Sequence, residues 1–101
     1  AWGSFKGSGT VSIHASYNFS SITDISQGRY TLSFSTAMSD TNYAITANTM
    51  KGDANNDGNV KIQCGDNDGN PAVNTGNFNV QVIHSHVDRA DPDKFWVMVA
   101  R

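Results

Sequence analysis

The sequence predicts an all-β fold, a small antiparallel β-sandwich of about seven strands, and three observations carry that expectation. Helix-forming material is scarce: among 101 residues there is no glutamate and a single leucine, Leu32. Val, Ile, Thr, Tyr and Phe are frequent instead, and they suit a pleated, half-buried surface. Short alternating segments recur between clusters of Asn, Asp, Gly and Ser, the spacing of a sandwich or barrel.

Trp2 to Lys6 is the first expected strand, ended by Gly7-Ser8-Gly9. From Thr10 to Ser16, Val11, Ile13 and Ala15 share one face, and Tyr17 and Phe19 carry it onward. A turn region follows through Asp24 and Gln27-Gly28. Tyr30, Leu32 and Phe34 then alternate with Thr31, Ser33 and Ser35, the clearest period-2 signal in the chain. Tyr43 to Met50, Asn59 to Cys64, Phe78 to His84 and Phe95 to Ala100 complete the set. Asp57-Gly58 and Asp68-Gly69 read as hairpin turns, and Asp91-Pro92-Asp93 as the turn before the last strand. That strand is apolar on both faces: Phe95, Val97 and Val99 on one, Trp96, Met98 and Ala100 on the other. Such a strand is either central in a layered fold or covered by another subunit. Trp2, Phe5, Tyr17, Phe19, Tyr30, Phe34 and Tyr43 are the expected core, with Asp24 and Gly28 shaping a turn.

Composition narrows the function. A hydrophobic share of 38% supports one modest core over residues 1–101, so stability is expected to lean on neighbouring subunits. The net charge of -2 and the scattered basic residues argue against nucleic acid as a partner. No apolar run approaches the ~20 residues of a membrane span, so no membrane insertion is expected. One cysteine, Cys64, allows no internal disulfide. The chain opens at Ala1 rather than at a methionine, so it is expected to be a fragment or a processed product.

The first half carries a resemblance. Trp2, Phe5, Gly7 and Gly9-Thr10 come first; then Ala15-Ser16-Tyr17-Asn18-Phe19-Ser20-Ser21-Ile22-Thr23-Asp24; then Gly28-Arg29-Tyr30-Thr31-Leu32-Ser33-Phe34; then Ala37-Met38-Ser39-Asp40 with Asn42-Tyr43-Ala44. In that order and at those spacings they resemble a C-terminal module of bacteriophage and prophage tail-fibre proteins, over residues 2 to about 47. His14 stands where the family often has Arg, and Lys6 where it often has Asn. The resemblance implies a homotrimeric virion appendage, on a phage or a prophage-encoded equivalent, that contacts a bacterial cell-surface glycan or protein. The contacting loops would be Gly52 to Asn59, Gly65 to Gly76 and His86 to Asp93. The alternative is a purely structural trimerisation or capping unit that makes no receptor contact.

Metal chemistry has two candidates. Asp53, Asn55 and Asp57, followed by Gly58, open like a calcium loop, but the twelfth position holds Cys64 rather than the bidentate Glu. A polar hairpin loop explains the same residues. His84 and His86 lie two apart on a strand and continue the row of Phe78, Val80 and Val82. Against a threefold axis, three copies of this pair would offer an octahedral imidazole set for a transition metal, as His-x-His sites in some phage fibres do. The plainer reading is two polar residues at a strand end. No catalytic residues and no cofactor-binding residues are expected: no Lys or helix completes Gly7-Ser8-Gly9-Thr10 as a phosphate loop, and no nucleophile elbow is present. The protein is therefore expected not to be an enzyme.

Overall fold

A computed structural model of the chain describes residues 1–26, 28–49, 60–64, 73–84, 88–89 and 94–101, with 60–64, 83–84 and 88–89 described by their backbone alone. The strands are β1 (Trp2–Lys6), β2 (Ser12–Tyr17), β3 (Phe19–Ser26), β4 (Arg29–Phe34), β5 (Ala44–Thr49), β6 (Val60–Cys64), β7 (Asn77–His84), β8 (Asp88–Arg89) and β9 (Phe95–Ala100). All pairings are antiparallel. One sheet has the order β2-β1-β9-β5; the other has β3-β4-β7-β6, with β8 added at the end of β7. The seven expected strands are all present. The two additional ones are β3 and the two-residue β8.

β3 hides in the sequence because its apolar content is low. Of its eight residues only Phe19, Ile22 and Ile25 are apolar, and most of the strand is exposed. It lies at a sheet edge, where only Phe19 and Ile22 face the core, opposite Phe34 and Leu32. Asp24 therefore sits in a strand, paired with Tyr30, and the turn falls at Gly28, whose φ of 71° suits glycine.

Between β2 and β3 the chain passes from one sheet to the other at a single residue. Asn18 separates β2 from β3 and holds φ at 60°, a left-handed conformation that Asn tolerates better than most residues. Its side chain secures the bend in both directions. The Thr36 N–H donates to Oδ1 at 2.7 Å, and Nδ2 donates to the Thr36 carbonyl at 3.1 Å. The Ser35 N–H adds a third bond to the Asn18 carbonyl at 3.1 Å.

Every phenylalanine of the chain is buried between the sheets, with Tyr30, Tyr43, Leu32, Val80, Val82, Val97 and Val99. The rings form a continuous series. Tyr30 stacks on Phe95 (5.3 Å between centroids) and Phe95 on Phe5 (5.2 Å); Phe5 meets Phe19 edge-on (5.4 Å), and Phe19 stacks on Phe34 (5.3 Å). Tyr43 meets Phe34 at 89°, 5.5 Å away. Offset and edge-on pairs of this kind add to the stabilisation that burial alone supplies. The polar ends of the two tyrosines are satisfied: the Tyr30 hydroxyl donates to the Gly7 carbonyl, and that of Tyr43 to the Asn74 carbonyl, each at 2.7 Å. Gly3 makes room for the series, since a Cβ there would come within 2.2 Å of Phe5 Cζ.

Two expected core residues lie outside. Trp2 and Tyr17 are 47% and 67% exposed, and they face each other across β1 and β2. For Tyr17 the cause is a bulge. Ser4 pairs with Ala15 but Phe5 pairs with Ile13, which leaves His14 as an extra residue on β2. The bulge reverses the parity of the strand: Ile13 turns toward the core, and Ala15 and Tyr17 turn away from it. For Trp2 the reason is simpler, because it shares a face of β1 with Ser4 and Lys6 while Gly3 and Phe5 face the core.

Candidate functional site

The two outward faces of the sandwich differ in chemistry. On the five-stranded sheet, β4 places Arg29, Thr31 and Ser33 beside Asn77, Asn79 and the buried Gln81 of β7, on the face away from the core. Thr31 donates to Asn79 Oδ1 at 2.8 Å, and all six of these side chains are polar. On the four-stranded sheet, strand register assembles an aromatic surface. One cross-strand row reads Tyr17, Trp2, Met98, Thr46; the next reads Ala15, Ser4, Trp96, Asn48. Met98 is 58% exposed and Trp96 38%.

The two indoles stand diagonally across the Ser4/Met98 step, and a groove of about 670 Å³ opens between them. That volume falls within the range of small-ligand sites. Thr46 and Asn48 line one side, from β5, and His14 the other, placed there by the β2 bulge. Lys94, just before β9, holds its ammonium 5.3 Å from the centre of the Trp96 ring, a cation–π contact. At the floor, the Ser4 Oγ is buried and has no hydrogen-bond partner among the described residues. Among the described residues no carboxylate lines the groove. The arrangement offers aromatic faces for stacking, hydroxyl and amide groups for hydrogen bonds, and an ammonium at the rim.

The chain matches no family model, no curated protein and no solved structure.

Asp53, Asn55, Asp57 and His86 fall outside the described residues, as does the His84 side chain; the backbone of His84 ends β7, opposite Val60 and Asp88. Among the described residues no cluster of three or more His, Cys, Asp or Glu side chains is placed to hold a metal. Of the loops expected to touch a receptor, 88–89 is described by its backbone, and otherwise only the stretch 73–76 is described. It is fastened to the 34–43 segment by the Phe34 N–H to the Gly76 carbonyl (2.9 Å) and the Met38 N–H to the Thr75 carbonyl (2.8 Å). Among the described residues Asp40 forms an ion pair with Arg101. The carboxylate accepts from both Nε (2.8 Å) and Nη2 of the guanidinium, and from the Asn42 N–H (2.8 Å). The guanidinium bond, then the Asn42 amide, hold the Asp40 carboxyl down at about 2.

The groove was partly visible in the sequence. The doubly apolar pattern of Phe95 to Ala100 marks Trp96 and Met98 as outward apolar residues in search of a partner. The parts contributed by His14, Ser4 and Lys94 depend on a bulge and on cross-strand register, which periodicity does not report.

Proposed function

We propose that this chain is a non-catalytic receptor-binding module of the phage tail-fibre type, carried as a homotrimer on a virion and contacting a bacterial surface. The observation that carries the reading is the contrast between the two faces. Away from the core, the described residues of β4 and β7 in the five-stranded sheet are polar, while the four-stranded sheet exposes two tryptophans, a tyrosine and a methionine around a concave groove. Tryptophan and tyrosine are over-represented among residues that dominate binding energy, and methionine is enriched at interfaces.

A second reading is favoured by one detail. Tyr17, Trp2 and Met98 form a continuous exposed row, which is also what a subunit contact would use. On that reading the chain is a trimerisation or capping unit. Labelled recombinant chain, tested for saturable adsorption to a panel of bacterial strains with its solution mass determined in parallel, separates the two. Adsorption that Trp96→Ala weakens by about tenfold or more, with the mass unchanged, supports receptor binding. A Trp96→Ala chain that falls from trimer to monomer, with no strain bound by either form, supports the structural role.

A further inference from the structure

We propose that the groove between Trp2 and Trp96 takes one acidic sugar unit, its apolar ring face against the indoles and its carboxylate at Lys94. This rests on reading the face as a binding surface and names the ligand class.

Three features choose the class. Stacking alone would suit any flat apolar ligand, but the exposed Thr46 hydroxyl and Asn48 amide also line the groove. A purely apolar occupant would strip those groups of water and leave them unpaired. A sugar ring carries both complements, with C–H groups on one face and hydroxyls around its edge to meet Thr46 and Asn48. Second, the groove lies on the face of a sheet whose main-chain groups are engaged in strand pairing, so an extended peptide finds no ladder to join there. Third, charge is one-sided. Lys94 is held at the rim by the Trp96 ring, and no described carboxylate lines the groove, although the whole chain is net negative. That local sign selects an anionic substituent over a neutral sugar.

The chain provides its own probe. It has two tryptophans, Trp2 and Trp96, and both line the groove, so tryptophan emission, excited beyond the tyrosine absorption band, reports the site. Full-chain protein is titrated with glucuronic acid, galacturonic acid and short oligogalacturonides, and with methyl glucoside as the neutral control. The expected result is a saturable change with the acidic sugars and one at least about tenfold weaker with methyl glucoside. Lys94→Gln, which keeps the side-chain stem, removes that preference, while Thr23→Ala on the opposite sheet leaves it intact. Equal binding of acidic and neutral sugars, unaffected by Lys94→Gln, overturns the assignment of charge. If no sugar binds while cells still adsorb the protein in a Trp96-dependent manner, the ligand class is overturned and the receptor-binding reading stands. If no sugar and no cell binds and Trp96→Ala dissociates the trimer, both fall.

Discussion

Replacing Asn18 tests how the two sheets are joined. Asn18→Gly keeps free access to the φ of 60° but deletes both side-chain bonds to Thr36. Each such bond contributes about 0.5–1.5 kcal/mol net, and these two are exposed, so a loss of about 1–2 kcal/mol is expected. Asn18→Ala deletes the same bonds and in addition places a Cβ in the left-handed region, at about 1 kcal/mol more. The alanine variant should therefore be the less stable of the two by about 1 kcal/mol. Ordinary strand positions show the reverse order, since glycine there is worse than alanine by about 0.5–1 kcal/mol. Urea unfolding at one fixed protein concentration measures this. With a slope of about 1–1.5 kcal/mol per molar, the alanine midpoint should fall below the glycine midpoint by about 0.7–1 M. An alanine variant as stable as the glycine variant would refute the claim that this residue holds the bend by its backbone conformation.

Other substitutions probe the core and its edge. Gly3→Ala drives a methyl group into the Phe5 ring, which is fully buried against Phe19 and Phe95, and should cost about 1–3 kcal/mol in denaturant midpoints. Tyr30→Phe preserves the ring stack but leaves the Gly7 carbonyl without its donor, for a loss of about 1–2 kcal/mol seen as a lowered Tm. Asp40 should titrate near pH 2 by carboxyl NMR, and Arg101→Ala should return it toward the ordinary carboxylate range. Because the folded state holds this proton less tightly than the unfolded chain, the stabilising effect is complete above about pH 4. It is lost as pH falls toward about 2, and the Arg101→Ala chain should show a shallower acid limb in that interval.

The strands that were legible in the sequence are those buried on one face and regular in register. Tyr30, Leu32 and Phe34 alternate without interruption and are all core. Phe95 to Ala100 was legible as a strand with two apolar faces, and only its inner face is covered by the chain itself. What escaped was parity. Continuing the face of Val11 and Ile13 through Ala15 to Tyr17 assumes no bulge, and the extra residue at His14 breaks that assumption. Trp2 invites placement in the core by its size, yet its spacing from Phe5 is odd, so the two cannot share a face of one regular strand. β3 escaped because an edge strand with one thin apolar stripe looks like a loop when read by hydrophobicity. The groove inherits all of these difficulties, since it is built from residues on four strands that meet only through register.

The pairing of β1 with β9 sets how the domain meets mechanical load. Trp2 lies opposite Met98, and the Val99 N–H donates to the Ala1 carbonyl at 2.7 Å, so residues 1 and 101 leave the sheet at the same end. Tension applied to these two residues runs along the ladder's hydrogen bonds rather than across them. It would part Ala1 from Val99 first, then Trp2 from Met98, one rung at a time. In an optical trap the domain should yield by peeling, at low and gradual force, and the aromatic groove would be the first part of the molecule to come apart.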